Sequence, residues 1–370
     1  MQRKRFERLI LHEGEEIIRK NPALGKKTLT KDELEAIQNQ WSGLRMEVSP
    51  LWHQIYKNLL GEFDPKMIPM TVFYLRFEPY LRDYRMERAY SDKNAHHRFI
   101  PDANRPEMIL QHVHRRFYGK NQAPLAKSEV ESYLKEQKGS FFLKPAMDGD
   151  GGKFITPFRV EKGIAYKKDQ AIDIEELLKP YPQNFLIQRK VIQHQDTAAL
   201  HPSSVNTFRV TTIREGHDIR VLNNVLRVGV GGSQIDNASK GGIVLGLYQG
   251  GKLSDRALDS RFNWLDRHPD TGIIFKDAKP LSFADKVEAE AVRLHAQFPY
   301  TDTICWDLTY DENDKVVVIE YNLAGFGVVY QQAFHGPYFG EKTEEWLAHM
   351  REVWKDADRQ TGYYPAYPKL

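Results

Sequence analysis

The sequence predicts an α+β fold with a helical N-terminal region. Three observations carry this reading. Residues 1 to about 90 place apolar side chains at helical spacing. From about 91 the pattern changes to short strand-like runs divided by Gly and Pro, and the longest runs are placed to pair as antiparallel hairpins. Local pairing of this kind argues against a doubly wound parallel sheet, in which strands and helices alternate regularly.

Within the first region, the segment 51–60 has apolar positions at helical spacing, and Gly61 is placed to end it. Asp64-Pro65 opens a further segment that Pro69 interrupts. Phe73, Tyr74, Phe77, Tyr80 and Tyr84 read as core, and nothing here carries a catalytic motif. Strands are expected at 140–143, 154–159, 185–192, 207–213, 221–230, 242–248, 303–308 and 316–321, and helices at 128–137, 174–178 and 283–297. An amphipathic helix over 341–358, running through Trp346, Leu347, Met350 and Trp354, precedes a Tyr/Pro tail. The expected organisation is a helical region at 1–90, α+β subdomains at 91–186 and 187–340, and a C-terminal helix and tail at 341–370.

Composition narrows the function. A net charge of +3, from 53 basic and 50 acidic residues, makes no general case for nucleic-acid binding. No apolar run is long enough to span a bilayer. The single cysteine, Cys305, excludes an intrachain disulfide and a thiolate metal cluster, which fits a reducing cytoplasm. It falls in an expected buried strand and reads as a core thiol.

Three groups of residues carry chemistry. Phe141-Phe142-Leu143-Lys144-Pro145 is a short strand ending in a lysine, and a loop containing Gly149, Gly151 and Gly152 follows. Glycines let backbone N–H groups approach an anion, and the lysine adds a point charge for phosphate. The loop lacks the Gly-Lys-Ser/Thr ending of a P-loop. Arg209 and Arg227 interrupt apolar strand patterns and are candidates to bind a phosphoryl group or a carboxylate bidentately. After Arg227 a polar stretch with Asp236, Asn237, Gly241 and Gly242 reads as an active-site cover. Finally, Asp307 and the run ending in Glu320-Tyr321-Asn322 form an expected hairpin. Period two puts Glu320 and Asn322 on one face, where Asp307 can join them. Three hard oxygen donors suit Mg²⁺, although a polar, solvated sheet face has the same pattern.

Together these residues resemble the ATP-grasp superfamily, and most closely its sugar-transfer-associated branch, over about 91–332. The motifs at 141–152, 185–194, 206–209, 227–242 and 306–322 carry the resemblance. It implies ATP bound between two α+β subdomains, with Lys93 and Lys144 on the phosphates. Gln188, Arg189, Lys190 and Val191 become the hinge that meets the adenine edge, although many relatives have a glutamate where this chain has Arg189. Arg209 would face the γ-phosphate, Arg227 the substrate carboxylate or acyl phosphate, and Asp307, Glu320 and Asn322 would hold Mg²⁺, two ions being expected. His194 and His201 flank the hinge and are candidates for ribose or substrate contact. His112 and His114 have strand spacing but no third metal ligand, so a structural role is favoured.

The activity implied is ATP- and Mg²⁺-dependent joining of a carboxylate to an amine through an acyl phosphate, forming an amide. The branch suggests an amino acid and a sugar acid or glycan as substrates, and association with polysaccharide-synthesising enzymes. A kinase acting on a small molecule or sugar, and a non-catalytic nucleotide-binding scaffold, are the alternatives.

Overall fold

The computed structural model of the chain describes residues 2–147, 154–234, 236 and 241–355. Among these, fifteen strands form two sheets, and every pairing between named strands is antiparallel. The first sheet contains β1 (Met108–Val113), β2 (Arg116–Tyr118), β3 (Pro124–Leu125), β4 (Gly139–Pro145), β5 (Thr156–Glu161), β6 (Ile164–Lys167), β7 (Gln170–Ile172) and β8 (Phe185–Arg189). Their spatial order is β3-β2-β1-β8-β4-β5-β6-β7. The second contains β9 (Thr207–Glu215), β10 (Asp218–Val228), β11 (Ile243–Tyr248), β12 (Lys252–Leu258), β13 (Trp264–Leu265), β14 (Thr303–Tyr310) and β15 (Val316–Asn322), ordered β13-β12-β11-β10-β9-β14-β15. The expected α+β class is therefore the observed one.

Alternation of side chains decides what each sheet face does. In β4 and β8, Phe141, Leu143, Phe185 and Ile187 pack with Val130 and Leu134, Ile174 and Leu177 from two covering helices. Their alternates, Phe142, Lys144 and Gln188, therefore point to the other face. In the second sheet, Phe208, Val210, Leu226, Val228, Ile304, Trp306 and Leu308 bury one face against the helix Ala284–His295. The opposite face carries Ile213 and Cys305, which join the core of the helical N-terminal region. Arg209, four positions from Ile213, and Asp307, two from Cys305, share that second face.

The helical region is built from α1 (Gln2–Lys20), α2 (Lys31–Gln40), α3 (Leu51–Leu60) and a helical stretch over 70–80 that contains a π-turn. Gly61 closes α3 in the left-handed conformation (φ 85°), which spares the penalty a Cβ would incur there. At Gly14 a Cβ would lie 2.8 Å from Leu51 Cδ2, so glycine permits the close docking of α1 on α3. The region is tied to the second sheet's connections. Gln332 bridges Tyr56 and Ile68, Glu78 accepts from the Gly325 amide at 2.6 Å, and Arg82 pairs in a β-bridge with Thr301. The C-terminal helix Thr343–Lys355 packs into the same core through Leu347, Met350 and Trp354. No described helix is long and apolar enough to cross a membrane.

Candidate active site

The two sheets meet around a cavity of about 670 Å³. From the first sheet it receives Phe142, Lys144, Gln188 and Arg189, with Val191 just beyond β8. From the second it receives Arg209, Arg227, Asp307, Glu320 and Asn322, and Lys93 and Asp236 reach it from loops. One cavity thus gathers most of the described candidate residues, drawn from segments more than 200 residues apart. Gly149, Gly151, Gly152 and Asn237 lie outside the described residues. Gly241, Gly242 and Lys190 do not line the cavity. Lys190 donates from its backbone to Ser140 O at 2.8 Å and from Nζ to Ser203 O at 2.9 Å.

Register explains the convergence on the second sheet. Asp307 lies opposite Arg209 on one side and Glu320 on the other, and Asn322 lies opposite Cys305. An irregularity between Asp307 and Leu308 marks a bulge in the β14–β15 hairpin, a device that re-aims side chains at sheet sites. Arg209 grips Asp307 with two bonds, Nε to Oδ1 at 2.9 Å and Nη2 to Oδ2 at 2.8 Å. Arg227 adds a bond to Oδ2 at 3.2 Å and reaches Asp236 Oδ1 at 3.3 Å. Burial works to raise the Asp307 carboxyl, but Arg209 and Arg227 outweigh it and hold the group below its ordinary range. Burial likewise opposes the Arg209 charge, and Asp307 more than restores it. Asp236 is different: burial raises its carboxyl despite Arg227, and it accepts from both the amide and the hydroxyl of Thr207.

Two lysines stand over this array. Lys93 pairs with Glu320 at 2.8 Å, and its amide donates to Ala146 O at 2.9 Å, so one residue touches both lobes. Lys144 is 8% exposed, and burial pushes its ammonium down to about 8, aided by the charge of Lys93 and opposed by Glu320. A lysine held close to losing its proton is poised to gain binding energy from an arriving polyanion.

The hinge candidates divide. Arg189 turns toward Glu107 at 2.6 Å and Lys138 O at 2.6 Å and lies over the Phe141 ring, so its guanidinium has partners of its own. His194 caps the helix Gln195–Leu200 and packs on Phe283 and Tyr310. His201 is buried beside Ser204 at 2.9 Å. Neither histidine lines the cavity, which corrects the expectation of ribose or substrate contact. His112 stacks on Phe185 and accepts from the Asn184 amide, a structural role as expected.

Asp307, Glu320 and Asn322 supply two carboxylates and an amide oxygen on one hairpin face. Asn322 donates through Nδ2 to Asp307 and to Cys305 O, each at 3.4 Å, which leaves its Oδ1 free to accept. The donor set fits a hard divalent cation. No group of three or more His, Cys, Asp or Glu side chains suited to a metal occurs among the described residues, so this mixed set is the candidate. Arg209 and Arg227 already engage Asp307, whereas Glu320 is more open than Asp307.

Sequence reading missed three residues of this cavity that come from the helical region: Glu87 and Arg88, on the helix Tyr84–Tyr90, and one from much earlier in the chain. Glu13, on α1, lines it. No motif marks it, and only the docking of α1 brings it in.

The sequence model of the sugar-transfer-associated ATP-grasp family matches residues 100–342. No curated protein matches the chain. Among solved structures, the L-amino acid ligase of Bacillus licheniformis is 11% identical, with a TM-score of 0.38 over 67% of this chain and 43% of that one. The D-Ala:D-Ser ligase VanG of Enterococcus faecalis is 10% identical, with a TM-score of 0.37 over 71% and 61%. The biotin carboxylase domain of the Hydrogenobacter thermophilus 2-oxoglutarate carboxylase, solved with MgADP and bicarbonate, is 11% identical, with a TM-score of 0.41 over 73% and 47%. The chain spans about half the length of the structures it matches. Because the family match exceeds half of the 370 residues and runs through every strand that lines the cleft, the chain belongs to the sugar-transfer-associated ATP-grasp family.

Proposed function

We propose that the protein is an ATP- and Mg²⁺-dependent ligase that joins a carboxylate to an amine through an acyl phosphate. The observation that carries this reading is the convergence of Lys93, Lys144, Arg209 and Arg227 on one cavity beside Asp307, Glu320 and Asn322. The ATP-grasp superfamily includes carboxylate–amine ligases, which supports the same reaction class.

The cleft needs no protein nucleophile for this chemistry. Cys305 is fully buried, and burial pushes its thiol up to about 11. Phosphoryl transfer depends on positioning and charge neutralisation, which the cationic array supplies. Lys93 and Lys144 bind the polyphosphate from above the second sheet. Arg209 turns to the γ-phosphate, and Arg227 holds the substrate carboxylate for in-line attack. The carboxylate oxygen bonds to the γ-phosphorus, ADP leaves, and the amine then displaces phosphate from the acyl carbon. Asp307, Glu320 and Asn322 would hold Mg²⁺, which would neutralise phosphate charge. Residues 188–191 serve as the adenine-side hinge, chiefly through backbone groups. The segment containing Asp236, Asn237, Gly241 and Gly242 covers the site, with Asp236 anchored to Thr207 and Arg227. Sugar acids or glycans and amino acids are the substrate classes this family's context suggests, in the cytoplasm and alongside polysaccharide-synthesising enzymes.

The test is ADP and phosphate release from MgATP with hydroxylamine and pooled candidate carboxylates, with Glu320→Ala as control. Carboxylate-dependent ADP together with a hydroxamate is the expected result. ADP formed with a phosphorylated hydroxyl product, and no hydroxamate, would replace the ligase by a kinase. Nucleotide binding without turnover on any pool would favour a scaffold.

A further inference from the structure

A second cavity, of about 780 Å³, shares Glu13, Arg209, Arg227, Gly325 and Phe326 with the nucleotide cleft. One of its walls lies wholly outside the family-matched residues. Ile17 and Lys20 come from α1, Trp52 from α3, and Met70 and Tyr74 from the stretch over 70–80. The wall facing them is the same sheet face that carries Arg209 and Arg227, extended by Val225 and Val244.

Charge gives this cavity a direction. The two arginines lie at its junction with the cleft, where a carboxylate or acyl phosphate belongs. Glu13 stands at the same junction, on the helical wall, and has no hydrogen bond or ion pair among the described residues. Glu16, the other acidic residue of the wall, is already engaged by Arg19 at 2.7 and 2.5 Å. An unpaired carboxylate across from two guanidinium groups repels an anion and attracts an ammonium. The close docking of α1 at Gly14 seats its neighbour Glu13 at this point.

Resting on the ligase reading above, we infer that this cavity is the acceptor site: it takes a primary amine, and Glu13 holds the ammonium and removes its proton. The proton passes to the Glu13 carboxylate. The freed lone pair forms the C–N bond to the acyl carbon, the C–O bond to phosphorus breaks on the carbon side, and phosphate leaves with that electron pair. The nitrogen's remaining surplus proton goes to the departing phosphate. Glu13 is exposed where it lines the cavity, yet the surrounding protein desolvates it enough to raise its carboxyl, which makes its anion a better base. Cavities of 300–1,000 Å³ suit drug-sized ligands. The amine is therefore carried on a body of about sugar or dipeptide size, lying along Ile17, Trp52, Met70 and Phe262. In this arrangement the helical region selects the acceptor, and the family-matched lobes perform the activation.

The experiment uses the full chain with MgATP, a carboxylate pool and hydroxylamine, to which glucosamine, L-lysine or D-alanine is added in turn. In the native protein at least one of these amines is expected to divert acyl phosphate from hydroxamate to amide. Glu13→Gln is expected to lower the amide-to-hydroxamate ratio at least about 100-fold, within the span typical of a lost general base. It also replaces the acidic limb set by the Glu13 carboxyl with the higher one set by the amine's own ammonium. Ile17→Trp narrows the cavity without touching a charged group and is expected to raise the KM for the amine at least about tenfold with less change in kcat. Melting curves check that both variants fold. Hydroxamate formation with an unchanged ratio in Glu13→Gln, or with no amine diverting the intermediate, overturns the acceptor assignment and spares the ligase reading. No hydroxamate in the native protein from any carboxylate removes both.

Discussion

Raising the pH from 7 to 9 is expected to weaken nucleotide binding about tenfold through one side chain, Lys144. Burial brings its ammonium down to about 8, so at pH 7 most molecules carry the charge and at pH 9 about a tenth do. A polyphosphate binds the charged form, so each molecule that has lost the proton must regain it on binding. The ratio of the two charged fractions is about ten, or roughly 1.4 kcal/mol. Calorimetry with MgADP in two buffers of different ionisation heat reads this directly, with proton uptake near zero at pH 7 and approaching one at pH 9. Lys144→Arg is expected to flatten the profile, because a guanidinium keeps its charge throughout. Stability moves the opposite way. The unfolded chain holds this proton up to the ordinary 10.5 and the folded chain releases it near 8. Between those values the unfolded state binds more protons, so this group makes the protein more stable as pH rises through that window. A dissociation constant constant to within twofold from pH 7 to 9, or no proton uptake at pH 9, would refute the reasoning.

Other substitutions probe the rest of the cleft. Glu320→Ala is expected to abolish turnover while leaving the melting curve near native, since its carboxylate is partly exposed and pairs with Lys93; full activity would remove it from the metal set. Asp307→Ala strips the shared counter-charge from Arg209 and Arg227 and is expected to cost about 3–5 kcal/mol in urea unfolding. Gly229→Ala would put a Cβ 2.3 Å from Ser204 Oγ and 2.7 Å from His201 Nδ1, and about 1–3 kcal/mol of lost stability is expected by the same assay. Glu78→Ala leaves the Gly325 amide without its acceptor and Arg82 without one of its carboxylates, for a loss of about 1–3 kcal/mol together with reduced turnover.

The second sheet was legible because its strands announce themselves. β9, β14 and β15 are rich in β-branched residues, and period two put Glu320 and Asn322 on one face, where Asp307 on the paired strand could join them. β12, with the sequence Lys-Leu-Ser-Asp-Arg-Ala-Leu, has no β-branched residue and was invisible, as were the short strands β2, β3, β6, β7 and β13. β1 escaped as well, because Met-Ile-Leu-Gln-His-Val does not alternate. Within the site, sequence sent Arg209 to a phosphate and Asp307 to a metal. Their direct pairing depends on β9 and β14 being neighbours, a long-range fact that spacing along the chain does not encode. Glu13 was hidden for a related reason: a helix reveals its periodicity in sequence, but not the surface on which it docks.

The ties between the helical region and the second sheet also bear on how the molecule is made. Glu78 meets Gly325 across 247 positions, and Asn21 meets Arg261 across 240. Lys93 finds Glu320, and the Tyr321 hydroxyl reaches Tyr90 O. During synthesis the helices emerge well before the hairpin that completes the cleft. Until the second sheet follows, the apolar wall of α1, α3 and the stretch over 70–80 has no sheet to cover. Contacts of such span close slowly and leave the nascent chain prone to wrong partners. The protein is therefore expected to gain its nucleotide site in one late step, to depend on chaperone protection while it waits, and to be inactive in any fragment that stops short of Gly325.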